Sequence, residues 1–307
     1  MTEARKRDRT RMIFATWIIL LFFCLYNQEE IVKGARHGIR LCLENVIPAL
    51  FPFMVFSDLL SANAPQSEGL FSAAFCRFFR TSPKGAHAFL MGALGSFPLG
   101  AKVVCNAYEK GELTKEEAEH LLGFVNVTGP AFLVAGVGAA LRNSVTDGLV
   151  FYGIEIIAAI LVGKLTAPKK RRIACSAQIE SEPFSLSKSL GASTLSMLSI
   201  CGTVIFFSAL SSLLFAVLPD IICSFLMPFL EITSGLTTIA EAFGTKGLLS
   251  FSLSCAAVGF GGICVAMQSA LFAKKANLSL KGYYKGKILC ALFSFLLGVL
   301  WCTLMHP

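Results

Sequence analysis

Charge is scarce in this sequence. Only 15% of its 307 residues are Asp, Glu, Lys or Arg, while 55% are hydrophobic; ordinary soluble domains carry about 25% charged residues. Catalytic signatures are missing too. There is no GxSxG elbow, no P-loop, no Gly-rich dinucleotide fingerprint after a strand, and no pair of carboxylates within one segment suited to acid–base work. These absences argue against an enzyme. The eleven cysteines (Cys24, Cys42, Cys76, Cys105, Cys175, Cys201, Cys223, Cys255, Cys264, Cys290, Cys302) stand singly, without a CxxC pair, mostly in apolar runs where cysteine acts as a small hydrophobe. His37, His87, His120 and His306 form no HExxH or paired arrangement. Neither a metal or redox site nor a cofactor is therefore expected.

Long apolar runs take the place of what is absent. They are Met12–Tyr26, Val46–Ser61, Ala86–Tyr108, Phe124–Leu141, Gly148–Thr166, Leu190–Leu218, Ile221–Phe243, Leu248–Ala273 and Ile288–Met305. With a mean hydropathy of +0.68, and about 20 apolar residues needed to cross a bilayer as a helix, the chain reads as an all-α, polytopic membrane protein. The net charge of +8 is concentrated in Arg5, Lys6, Arg7, Arg9 and Arg11 and in Lys169-Lys170-Arg171-Arg172. By the positive-inside rule both clusters stay cytoplasmic. No soluble domain accompanies them, so nucleic acid is not an expected partner; membrane lipid is. No small-residue cleavage site follows Tyr26-Asn27-Gln28-Glu29, so the first run reads as a retained anchor.

Several runs carry helix breakers where unpaired backbone is most expensive. Gly95-Ser96-Phe97-Pro98 with Gly100 interrupts the third run and Thr128-Gly129-Pro130 the fourth. Thr233-Ser234-Gly235 and Gly259-Phe260-Gly261-Gly262 do the same in the later half. In hydrocarbon such breaks survive only within protein or beside a water-filled cavity. A half-helix starting at a break points free N–H groups inward, which suits an anion. One such Gly or Pro alone reads as a kink or a packing point. As a set, the breaks read as a binding site, with Ser96, Phe97, Pro98, Gly100, Asn126, Thr128, Gly129, Pro130, Thr233, Ser234, Gly235, Gly261, Gly262 and Gln268 as its candidates. Two charges join them. Lys102 either counters a substrate anion or snorkels to the interface. Glu231 either binds a coupling cation or proton or pairs with a basic residue. Glu155, in an apolar helix with no break nearby in sequence, reads as partner to a neighbouring helix.

Polar stretches complete the pattern. In "EKGELTKEEAEHLL" Thr114 and Glu117 make a capping box that starts a short amphipathic helix, its charges a solvated face. Tyr283-Tyr284 with Lys281, Lys285 and Lys287 resembles an interfacial belt, as does Trp301.

Five apolar runs separate the two basic clusters, and an odd number of crossings cannot return the chain to one side. Either one run enters and leaves on the same side or one cluster lies on the other; the charge rule favours a re-entrant run. "PALFPFMVFSDLL" (Pro48–Leu60) resembles "GTVIFFSALSSLL" (Gly202–Leu214), and "GSFPLGAKVVCNAYEKGELT" (Gly95–Thr114) parallels "GFGGICVAMQSALFAKKANLS" (Gly259–Ser279). With one re-entrant run, the second copy is inverted relative to the first, as in many secondary transporters. The division expected is 1–30, a basic segment and anchor; 31–166, a first repeat; 167–185, a cytoplasmic linker; and 186–307, a second repeat.

The series "GSFPLGAK", "NVTGPAFLVAGVG", "LEITSG" and "GFGGICVAMQ", with "PALFPF" ahead of it, resembles the YlbJ-like sporulation integral membrane proteins of the nucleoside-recognition, or Gate domain, superfamily. The resemblance runs from about Ala35 to the last span. It implies an inverted-repeat helical bundle with broken and re-entrant helices, like concentrative nucleoside carriers. It also implies a place in the cell membrane of an endospore former, with the outer forespore membrane as the sporulation site and the N-terminus cytoplasmic. The activity implied is transport of a small organic anion, dipicolinate, in spore maturation and cortex formation. A nucleoside or other small solute is the second reading, and a non-transporting scaffold for sporulation partners the third. A metal-ion pore, with Cys105, Cys264 and Met267 near the breaks, is a fourth. Homo-oligomerisation is left open.

Overall fold

The computed structural model describes residues 3–63, 69–168 and 185–305. The Lys169–Arg172 cluster and most of the expected linker lie outside these residues. Every regular element is helical among them, and four helices are long and apolar enough to cross a membrane; a bent pair near the N-terminus would make a fifth. The chain is an integral membrane protein by these helices. Large apolar side chains exposed along its helices, such as Phe206, Leu195, Leu296 and Leu300, face where lipid lies.

In order, the helices are α1 (Glu3–Tyr26), α2 (Gln28–Leu41), α3 (Ile47–Asn63), α4 (Leu70–Phe79), α5 (Pro83–Gly95), α6 (Leu99–Glu109), α7 (Lys115–Leu121), α8 (Val145–Leu165), α9 (Leu186–Val217), α10 (Asp220–Leu230), α11 (Ile232–Phe243), α12 (Leu248–Phe260), α13 (Gly262–Lys275) and α14 (Lys281–Met305). Wide π-helical turns cover Cys42–Val46, between α2 and α3, and Ala131–Leu141, ahead of α8.

One layer consists of α2 and α3 running antiparallel to α9. Gly34 sits on Ser208, Ala209 and Ser212, and Gly38 on Ile205 and Ser208. Further along, the Cys42 thiol donates to the Cys201 carbonyl at 3.8 Å. Glycine four residues apart on α2 leaves no side chain between the helices, so the backbones approach closely.

The second layer is built of interrupted helices. The run Ala86–Tyr108 folds back on itself as the α5–α6 hairpin. Gly92 and Gly100 face one another across it, and both press on the Val125 carbonyl. The chain thus reverses direction within a single apolar run. The run Ile221–Phe243 makes a second hairpin, α10–α11, closed where Gly235 meets Pro228. By contrast, α12 and α13 continue one another across Gly261 as a single interrupted span, and α7 continues through non-helical residues 122–129 into Ala131–Leu141.

With α4 set aside, the order single helix, hairpin, interrupted segment, single helix occurs twice. The first series is α3, α5–α6, α7 to Leu141, and α8; the second is α9, α10–α11, α12–α13, and α14. This corrects the register read from sequence. Pro48–Leu60 and Gly202–Leu214 lie on α3 and α9, which open the two series. Gly95–Thr114 is a hairpin, however, and Gly259–Ser279 an interrupted span, so these two are not structural counterparts. Gly-rich breaks followed by polar turns look alike in either setting, which is why the letters misled. The two series touch where the interrupted span of the first crosses α14: Gly286 lies on the backbone of Gly123, and Gly123 on the Gly282 carbonyl.

Candidate functional site at the meeting of four helix breaks

The four interruptions come together in one place. A Cβ added to Gly129 would meet the Ser96 Cβ at 2.7 Å, joining the first break to the second. One added to Gly261 would lie 3.4 Å from the Phe97 ring, joining the fourth to the first. At Gly262 it would lie 3.1 Å from the Leu230 carbonyl oxygen and 3.4 Å from the Glu231 Cα, joining the fourth to the third. Gly261 and Gly262 hold φ of 81° and 80°, a left-handed conformation that only glycine adopts without strain.

Each break frees backbone groups that must find partners in a membrane interior. Side chains of the chain itself meet most of them. Asn126, 1% exposed, accepts the Ala101 N–H through Oδ1 at 3.3 Å and donates from Nδ2 to Ser269 Oγ at 2.7 Å. It therefore caps α6 from another segment and ties that segment to α13. Glu155 Oε1 accepts the Thr128 N–H at 2.9 Å and the Thr128 hydroxyl at 3.0 Å. Glu231 accepts the Thr233 and Ser234 N–H groups at 2.9 and 2.8 Å, capping α11. On the carbonyl side, the Lys287 ammonium donates to the Asn126 carbonyl at 2.6 Å and to the Gly259 carbonyl at 3.4 Å. It also lies 5.1 Å from the centre of the Phe97 ring. The starts of α13 and of the Ala131–Leu141 helix receive no side-chain cap from their N-cap residues, Gly261 and Pro130.

The placement of the sequence candidates sharpens some readings and corrects others. Ser96, Phe97, Pro98, Thr128, Gly129, Pro130, Gly261 and Gly262 are at or beside the junction; Pro98 and Pro130 stand at helix starts, where a missing N–H is harmless. Gly100 and Gly235 are close-packing positions within the two hairpins. Gln268 is buried on α13 and donates to the Cys264 sulfur of its own helix at 3.5 Å. Thr233 and Ser234 supply N–H groups to Glu231, which is buried and pairs with no basic residue among the described residues. Lys102 does not snorkel. It is buried, pairs with Asp58 of α3 at 2.7 Å and donates to Ser193 of α9 at 3.3 Å, which ties the hairpin layer to the α3–α9 layer. Its charge is already met.

Two residues were misplaced by reading along the chain. Lys287 and Tyr283, assigned to an interfacial belt, are only 3% and 1% exposed. They lie on the α14 stripe Tyr283, Gly286, Lys287, Cys290, Ser294 and Gly298, all buried; its helical spacing was the signal that separated them from exposed Tyr284. Glu155 does partner another segment, as expected, and that segment is the second break. The expected solvated face of α7 is also incomplete. The Thr114 cap forms, its Oγ1 accepting the Glu117 N–H at 3.2 Å, but Glu117 turns inward and accepts the Thr81 hydroxyl and the Ser82 N–H. Glu119 accepts the Ser279 N–H at 2.9 Å.

Away from the junction, buried Arg142 pairs with Asp147 at 2.8 Å and lies over the stacked Phe151 and Phe251 rings. An apolar cavity of about 310 Å³ adjoins the third and fourth breaks and is lined in part by Pro228, Phe229, Phe243, Ala257 and Phe260. Among the described residues, no three His, Cys, Asp or Glu side chains gather as metal ligands would.

Comparison with known proteins gives one relative to set beside this geometry. The chain is 24% identical over 156 residues to the sporulation integral membrane protein YlbJ of Bacillus subtilis (strain 168). The match covers 50% of this chain and 38% of that protein. No family profile matches the chain, and no solved structure does. The similarity supports the resemblance to YlbJ-like proteins.

Proposed function

We propose that this protein is a membrane carrier for a small organic anion, with a flat aromatic dicarboxylate such as dipicolinate as its substrate, and that it serves spore formation. One observation carries the reading: four helix breaks from distant parts of the chain meet at one place, three of them at the buried Lys287 ammonium and the third break against the uncapped start of α13. Discontinuous helices meeting within a membrane are where secondary transporters hold their substrates. A helix amino end favours a carboxylate, and Phe97 and Phe260 offer rings for an aromatic solute. The two series of elements are read as inverted halves that alternate access around this junction. The sporulation setting is supported by the relative's name.

Liposomes reconstituted with the purified full chain test this directly. Labelled dipicolinate is expected to leave loaded vesicles well above the protein-free rate, and uridine is not. Flux of uridine alone would transfer the reading to nucleosides. If stable protein moves neither solute, the transport reading fails.

A further inference from the structure

The junction contains a buried positive charge whose position is unusual for a lysine. Lys287 Nζ donates to two backbone carbonyls, Asn126 O at 2.6 Å and Gly259 O at 3.4 Å. Both carbonyls are freed by breaks, one in each series of elements. The Phe97 ring faces the ammonium from 5.1 Å. Glu155 lies within range of the same charge, yet its Oε1 serves Thr128 and its Oε2 has no hydrogen-bond partner. Carbonyls released by unwound helices, with a carboxylate near, are what carriers use to bind a coupling cation. An unpaired charge at this depth is strongly unfavourable, and a lysine there needs a compensating role.

We propose that Lys287 is a tethered cation: its ammonium fills a carbonyl-lined position, between residues 126–128 and the end of α12, that would otherwise bind a free alkali-metal ion. The carrier then runs without a bound coupling ion at this point. The lysine also binds the two series together, because one ammonium bridges the Asn126 segment and α12. Glu155 supplies the balancing negative charge and fixes the neighbouring Thr128, so residues 126–128 are gripped by a cation on one carbonyl and a carboxylate on one N–H. Removing the lysine would leave two carbonyls without their donor and the Glu155 charge without its counter-charge, a setting for a hard monovalent cation.

The inference deepens the transport reading and rests on it for its mechanism, but its test does not measure transport. Thermal unfolding of the purified full chain is followed in sodium, potassium or choline chloride at equal ionic strength. The wild-type midpoint is expected to be the same in all three. Lys287→Ala is expected to unfold earlier in choline and to recover by about 5–10 °C in saturating sodium or potassium, the rise a specific ligand gives far above its dissociation constant. Lys287→Ala combined with Glu155→Gln is expected to lose that recovery. If Lys287→Ala does not accumulate, Lys287→Gln, which keeps part of the stem, is measured the same way. A wild-type midpoint that rises specifically with sodium or potassium overturns the assignment. So do lysine variants that unfold identically in all three salts. Either result leaves the liposome flux measurement standing on its own.

Discussion

The two hairpins make the same reversal by different means. In α10–α11 the cap is local: Glu231 sits in the break and takes the next two free N–H groups itself, and Gly235 closes on Pro228 of the same hairpin. In α5–α6 the cap comes from elsewhere. Asn126 reaches in from the second break to the Ala101 N–H, and Gly92 and Gly100 close on the Val125 carbonyl of that segment. The second hairpin therefore carries its own instructions. The first is completed only when residues 125–129 are in place, so the first and second breaks form one unit.

Substitutions rank this difference. Asn126→Leu strips the cap from α6 and the partner from Ser269, leaving buried polar groups unpaired. A loss of about 2–4 kcal/mol is expected, read as a lower unfolding midpoint. Gly100→Ala drives a methyl into the Val125 carbonyl of a third segment and is expected to lose about 2–3 kcal/mol by overpacking. Gly235→Ala strains only its own hairpin and should lose less. Glu231→Ala removes a cap whose N–H groups begin a single helix, worth about 1–2 kcal/mol, with Glu231→Gln restoring part of it. Equal effects of Asn126→Leu and Glu231→Ala in the same melting assay would erase the distinction between borrowed and local caps. The smallest effect is expected at Gly153, on α8, where an added Cβ meets nothing within 4 Å. There Ala should raise stability by up to about 1 kcal/mol through helix propensity alone.

How much of this was legible in the sequence depends on the range of the interaction. Apolar length marked the helical segments, and Gly and Pro marked the breaks, because both act through local backbone physics. The third break lies at Leu230–Glu231, just ahead of the Thr233-Ser234-Gly235 that signalled it. Two helices escaped notice. α2 is amphipathic and too charged to register as an apolar run, and α4 has only 10 residues. The junction's chemistry was the least legible part. Lys102 was picked out for its closeness to a break in sequence, yet Asp58 and Ser193 already answer it from other helices. Lys287 was passed over among neighbouring lysines because its burial depends on which face of α14 turns inward. Glu155 and Thr128 were both noted, but their pairing exists only in three dimensions.

The crossing of Gly123 with Gly282 and Gly286 has a mechanical consequence. With no side chain between the two backbones, there is no padding to absorb a relative slide. Any stroke of α14 is passed undamped to the non-helical segment that leads into Asn126, so whatever moves one end of this lever sets the shape of the other.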